Sequence, residues 1–240
     1  KAMSGLMSLT GEPGSPPHRA GTSIADIAAG MFAAIGICAA LNRRHGSGQG
    51  TLIDIAMLDC QVAILENAIA RFTATGEVPG PTGGHHALIA PFGPFQCADG
   101  QIVLAAGNNA LFRQLCVALG RAELAQDARF GENEARAANR LALVVEIEAT
   151  LKRRPRAHWL PLLEAAGVPV AAVNGIDQVV ADPQVAARNM IVSTIGGAAG
   201  ALRTAGNPIK MTGLADPAER PAAPALDRDR ARILAEFGHA

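Results

Sequence analysis

At 240 residues and 49% hydrophobic content, the chain can bury a substantial core in one large domain or two modest ones, which excludes the charge-rich, apolar-poor disordered class. Its 21 Lys and Arg are balanced by 21 Asp and Glu, so no net field draws in nucleic acid or an acidic membrane surface. Tyr is absent and aromatics make up 3% of the chain, which argues against a stacking platform for single strands and leaves a small molecule or another protein chain as the expected partner.

Residues 8–21 are rich in Gly, Pro and Ser and read as a loop. Ser23 then offers an N-cap to a long helix expected to reach about Arg44, with Arg43 and Arg44 in the last turn and Gly46, Gly48 and Gly50 to stop it. The stretch Ile24–Leu41 is nearly all apolar and long enough to raise a membrane span. Asp26 near its start, and its Ala, Gly and Ile content, favour a buried helix of a soluble protein instead. Gly30 and Gly36 inside it predict close approach of another backbone. Thr51–Ile55 reads as a short strand, and Met57–Thr75 as a helix with Leu58, Val62, Leu65 and Ile69 on one face.

Six glycines and prolines fall between Gly76 and Gly84, followed by His85 and His86, and residues 76–94 read as a domain boundary or mobile loop. Asp99-Gly100 between apolar runs predicts a hairpin over residues 95–106, and Asn108 or Asn109 caps a helix that Gly120 ends. Helices are expected over Glu132–Arg154 and Ala157–Ala166, then a β-rich run Val168–Val173. A short helix at Asp177–Ala181, a turn at Asp182-Pro183 and a strand at Met190–Ile195 follow. Residues 213–225 read as an extended segment, and Asp227 as the cap of a last helix through Phe237. The pattern is an α/β or α+β chain.

The four cysteines, Cys38, Cys60, Cys97 and Cys116, form no C-x-x-C pair and lie in apolar runs. They read as small buried hydrophobes in a reducing, cytoplasmic compartment. There is no Walker-type loop, no dinucleotide fingerprint, no H-E-x-x-H and no G-x-S-x-G elbow. Gly46-Ser-Gly-Gln-Gly50 follows a helix where a phosphate cradle would precede one. His85 and His86 are adjacent, point in divergent directions and have no third ligand nearby, so no metal site is expected. A place beside a substrate stays open for them. Asp26 lies three residues after Ser23 in an apolar segment. On spacing alone it reads first as half of a capping box, and second as a nucleophilic carboxylate at a helix N-terminus.

The segments Ala2–Pro17 and Gly21-Thr-Ser-Ile-Ala-Asp26-Ile-Ala-Ala-Gly30 resemble the family III CoA-transferases, the CaiB/BaiF-like group that includes formyl-CoA transferase. So do Ala39-Ala-Leu41 with Arg43, Gly46 and Gly48-Gln-Gly50, then Ile89-Ala-Pro-Phe92, Ala98-Asp-Gly100, Val103–Asn108 and Ala181–Met190. The resemblance runs in order along essentially the whole chain. It implies that Asp26 attacks an acyl-CoA thioester, forms a mixed anhydride and then an aspartyl-CoA thioester, and passes CoA to a carboxylic acid through a second anhydride. It implies a glycine-rich loop over the site, with Gly83, Gly84 and His85 as its counterpart. The run is short here, and histidines follow where the family carries more glycine. CoA thioesters are substrates in this scheme, and no permanently bound cofactor is implied.

The resemblance further implies part of a large Rossmann-like domain plus a smaller α/β domain. Residues 1–75 would be the C-terminal portion of the large domain, 76–185 the smaller domain, and 186–240 a return segment with a C-terminal helix. The resemblance also implies that two such chains interlock as a homodimer. The Rossmann strands and much of the CoA-binding surface would precede Lys1, and a chain without them is expected to expose apolar surface. The α-methylacyl-CoA racemases share the fold and use the equivalent acid with a histidine for proton transfer, so an isomerase is the alternative. An inert fragment or structural subunit is a further one.

Overall fold

The computed structural model describes residues 2–196 and 200–238. The chain falls into two compact units, one ending at Val173 and the other beginning at Asn174.

In the first unit, helix α1 (Ile24–Ser47) runs three residues past Arg44 and straight through Gly46. It ends at Gly48, whose φ of +70° is left-handed backbone and whose N–H closes on the Arg44 carbonyl at 2.8 Å. Only Ala25 and Ala28 of α1 are buried, while Met31 and Ile35 are each 62% exposed. The expectation of a buried helix is therefore corrected: nothing among the described residues covers most of this apolar surface. Gly36 does face a neighbour, because a Cβ there would lie 3.3 Å from the Ile53 side chain, whereas Gly30 faces open space.

The run Thr51–Ile55 forms no strand. It has no ladder partner among the described residues, and Leu52 is almost fully exposed. The single helix expected over Met57–Thr75 is two, α2 (Met57–Ala63) and α3 (Ala68–Thr75). Glu66 between them has φ +57°, which a right-handed helix cannot contain.

Strands β1 (Phe92–Cys97) and β2 (Gly100–Ala105) form the predicted hairpin, with Cys97 opposite Gly100 and Phe92 opposite Ala105. Helix α4 (Asn109–Ala118) starts on the expected cap, the Asn108 side chain accepting the Leu111 N–H at 2.8 Å. The long helix expected over residues 132–154 breaks at Asn139 into α5 (Asn133–Ala138) and α6 (Arg140–Leu151). Helix α7 (Arg156–Ala165) leads through Gly167 into β3 (Val170–Ala172), antiparallel to β2. The sheet order is β1-β2-β3. Alternate strand residues Phe95, Cys97, Ile102 and Leu104 meet Phe112, Leu115, Leu143, Ile147 and Leu163 from the helices in one closed core. Each of these Phe, Ile and Leu side chains contributes about 1.5–3 kcal/mol by leaving water.

Arg136 is 0% exposed inside this core. All five of its N–H groups find acceptors: Ala90 O at 2.7 Å, Phe130 O at 3.0 Å, Gly131 O at 3.2 Å, Gly107 O at 3.1 Å and Asn109 Oδ1 at 3.0 Å. Its guanidinium carbon also stands 4.6 Å from the centre of the Phe112 ring.

The second unit holds α8 (Ile176–Ala181) and α9 (Pro183–Ala187). The Asp182 side chain caps α9 through the Gln184 and Val185 N–H groups, so the expected turn is a helix start. A three-stranded sheet has β4 (Ile191–Ile195) at its centre, antiparallel to β5 (Leu202–Ala205) and parallel to β6 (Glu219–Pro221). Neither β5 nor β6 is a strand in the sequence reading. The last helix, α10 (Arg230–Glu236), begins after Asp229, while Asp227, the expected cap, has φ +66° and lies in the turn before it.

Candidate active site

Asp26 occupies the first turn of α1 and is exposed between the buried Ala25 and Ala28. The N–H groups of Asp26 and Ile27 both reach the Ser23 carbonyl at 3.0 Å, which starts the helix through the backbone. The Ser23 hydroxyl makes no capping bond. Among the described residues, no hydrogen bond or ion pair engages the Asp26 carboxylate, so the capping-box reading is not realised. What remains is a free anion at the positive end of a 24-residue helix, a setting that favours negative charge without occupying its oxygens.

Gly83 and Gly84 are consecutive left-handed residues, φ +65° and +82°. A Cβ on Gly83 would come within 2.6 Å of a Glu12 carboxylate oxygen, and one on Gly84 within 3.2 Å of the Pro94 ring. The Gly83 N–H donates to the Gly11 carbonyl at 3.0 Å. This bond stitches the glycine loop to the segment that leads into Asp26. No hydrogen bond among the described residues joins Asp26 itself to Gly83, Gly84 or His85. Glu12, which packs on Gly83, goes unnoticed in the sequence, where it is one polar residue in a turn-rich stretch.

The two histidines have separate roles. His85 lies edge-on to Phe95, centroids 5.3 Å apart, with its Nδ1 enclosed and without a partner. Burial, and then the Arg140 guanidinium, hold its pKa below the ordinary histidine range, against the opposing pull of Glu12 and Glu148. A Cβ on Gly93 would collide with His85, so that glycine makes its room. His86 stacks on Phe92, and its Nδ1 accepts the Leu88 and Ile89 N–H groups at 3.1 and 3.0 Å. That geometry requires Nδ1 to be unprotonated.

Cys60, Cys97 and Cys116 are buried as expected, but Cys38 is exposed on α1. Burial pushes the Cys97 and Cys116 thiols up to about 11, which leaves them unreactive. A cavity of about 390 Å³ in the second unit is lined by Asn207, Lys210, Met211 and Asp216 among others. Lys210 and Arg220 both pair with Asp216 there, so neither is a free cation for a phosphate.

Residues 1–230 match the model of CoA-transferase family III. The chain belongs to that family. It is 42% identical over 238 residues to an acetyl-CoA:oxalate CoA-transferase of Acetobacter aceti, covering 99% of this chain and 60% of the relative. A succinate–glutarate CoA-transferase of Agrobacterium fabrum is 36% identical over 237 residues, covering 99% and 59%. A crystal structure of a CAIB/BAIF family protein from Brucella suis superposes with TM-score 0.82 and 36% identity, over 98% of this chain and 61% of that one. The family III chain thus has the mixed α/β fold expected of it, and spans about three fifths of the length of these relatives.

Proposed function

We propose that this chain supplies the nucleophile of a CoA transfer from an acyl-CoA donor to a carboxylic acid, with Asp26 as that nucleophile. The observation that carries the reading is the unengaged Asp26 carboxylate at the mouth of α1, where a cap was possible and is not made. The relatives' names support the reaction class, and oxalate and glutarate among them favour a dicarboxylate acceptor.

The steps balance as follows. An Asp26 oxygen adds to the thioester carbonyl and CoA leaves as thiolate, giving a mixed anhydride. The thiolate attacks the aspartyl carbonyl and releases the donor acid as a carboxylate. The acceptor carboxylate then displaces CoA from the aspartyl thioester, forming a second anhydride. Thiolate attack on the acceptor's acyl carbon forms the product thioester and frees Asp26. No cofactor is consumed, and the thioester bond energy is conserved in covalent intermediates. Each intermediate is open to hydrolysis, so water must be kept out, a task that falls to the Gly83-Gly84 loop with His85.

In this reading residues 1–75 belong to the large domain, 76–185 form the smaller one and 186–240 return to the large one. The whole protein works in the cytoplasm as an interlocked homodimer. The apolar flank of α1 is then covered by large-domain or partner surface.

The test is to incubate the full-length protein with acyl-CoA and then hydroxylamine. A hydroxamate on the Asp26 peptide is expected, and it disappears in Asp26→Asn. Exchange of solvent deuterium into the substrate α-carbon with no mark on Asp26 would replace the transferase with an isomerase.

A further inference from the structure

The segment His86–Ala90, directly after the glycine loop, belongs to no helix or strand, yet its backbone is held closely. Arg140 Nη1 donates to the carbonyls of His86 at 2.8 Å and Ala87 at 3.4 Å. Asn133 holds two groups at once: its Nδ2 donates to Leu88 O at 3.0 Å and its Oδ1 accepts the Ala90 N–H at 3.2 Å. Arg136 Nε donates to Ala90 O at 2.7 Å. From the other side, the His86 ring accepts the Leu88 and Ile89 N–H groups, and the His86 N–H donates to Phe92 O at 2.8 Å. Asn133 and Arg136 stand three residues apart on α5, the spacing that puts side chains on one helical face, and Arg140 opens α6 directly after the break at Asn139.

The upstream half is held differently. Between Gly76 and His85, the described bonds are the helix-end bonds of Gly76 N–H to Phe72 O and Glu77 N–H to the Thr75 hydroxyl, Gly83 N–H to Gly11 O, and a local turn in which Thr82 and His85 bond each other. His85 at its end carries the enclosed Nδ1 without a hydrogen-bond partner. The boundary between held and loosely held backbone therefore falls between two adjacent histidines.

We propose that Asn133, Arg136 and Arg140 are positioning residues that clasp the downstream end of the glycine loop, so that the loop hinges at His85–His86 instead of moving as a whole. The proposal rests on the reading of the loop as the shield of the aspartyl intermediates. It assigns the three side chains an effect on how well transfer is protected from water, not on substrate binding.

Amide exchange on the full-length protein tests the hinge directly. The amides of His86, Leu88, Ile89 and Ala90 are expected to exchange at least about tenfold more slowly than those of Gly80 and Gly84. Arg140→Ala is expected to erase most of that protection and to raise the ratio of thioester hydrolysis to CoA transfer by about fivefold, with the donor KM changed less than about twofold. Arg140→Lys, which keeps one donor to the carbonyls, restores part of both. Should Arg140→Ala fail to fold, Asn133→Ala carries the same expectation, and the wild-type exchange pattern stands independently. Uniform exchange across residues 80–90, or a folded variant with unchanged protection and hydrolysis ratio, overturns the clasp. Transfer surviving in Asp26→Asn would overturn the nucleophile and leave the exchange test standing.

Discussion

Two regions of the first unit are built from similarly apolar sequence and end in opposite states. Across the layer of β1–β3 and α4–α7, Phe95, Ile102, Leu104, Leu115 and Leu163 are fully buried. Along α1, Ile27, Met31, Ile35 and Leu41 are each at least half exposed. Residue type does not separate them; the availability of a facing surface does. The sheet layer closes on itself through contacts within about 80 residues, whereas α1 meets α2 and the Ile53 side chain and little else. In the reading proposed above, this apolar face is the one that large-domain or partner surface covers. The chemistry proposed for this chain sits on that unfinished region, at Asp26, and the rigid support for its loop sits on the finished one.

The sharpest way to break this division is Asp26→Asn. It is expected to lower transfer in the full-length protein by about 10³-fold or more while leaving its thermal midpoint nearly unchanged, since the carboxylate holds no structural bond. A calorimetric loss alongside the kinetic one would show that Asp26 is structural. Next, Leu104→Ala in the closed core is expected to cost about 2–5 kcal/mol in urea unfolding of the 240-residue chain. Ile35→Ala on α1 should stay within about 0.5 kcal/mol in the same chain. Comparable losses would mean that α1 is packed in solution. The smallest effect concerns His85. Folded, its depressed pKa keeps it neutral where the unfolded chain takes up a proton near the ordinary 6.5. Its contribution is therefore complete above that value and is lost as pH falls below it. The urea midpoint is expected to drop between about pH 7 and 5.5, and His85→Gln to flatten part of that drop.

Local signals survived the passage from sequence to structure. Asp99-Gly100 makes its hairpin, Asn108 caps α4, and Gly167 ends the turn after α7. Features that depend on distant neighbours did not. Thr51–Ile55 has strand composition but no ladder partner, and β5 and β6 exist only because β4 lies between them. The breaks at Glu66 and Asn139 interrupt apolar spacings that continue across them. At the site, Gly83 and Gly84 stood out by composition. Asp26 takes its proposed role only from family resemblance, because on spacing alone an acid three residues after a serine reads first as a cap. The clasp was illegible for a plain reason: Asn133 reaches back 43 residues to Ala90, and no local pattern records that.

Arg136 carries one more consequence. Its charge is met at contact distance by carbonyl and amide dipoles, with no carboxylate among the described partners. Surface pairs such as Arg232 with Glu236 weaken as dissolved ions shorten the reach of charge to about 3 Å at 1 M. Fixed dipoles sealed inside a core offer those ions nothing to displace. The junction of Ala90, Gly107 and Phe130 should therefore hold as firmly in brine as in dilute buffer, so the loop keeps its footing when the charged surface around it is screened.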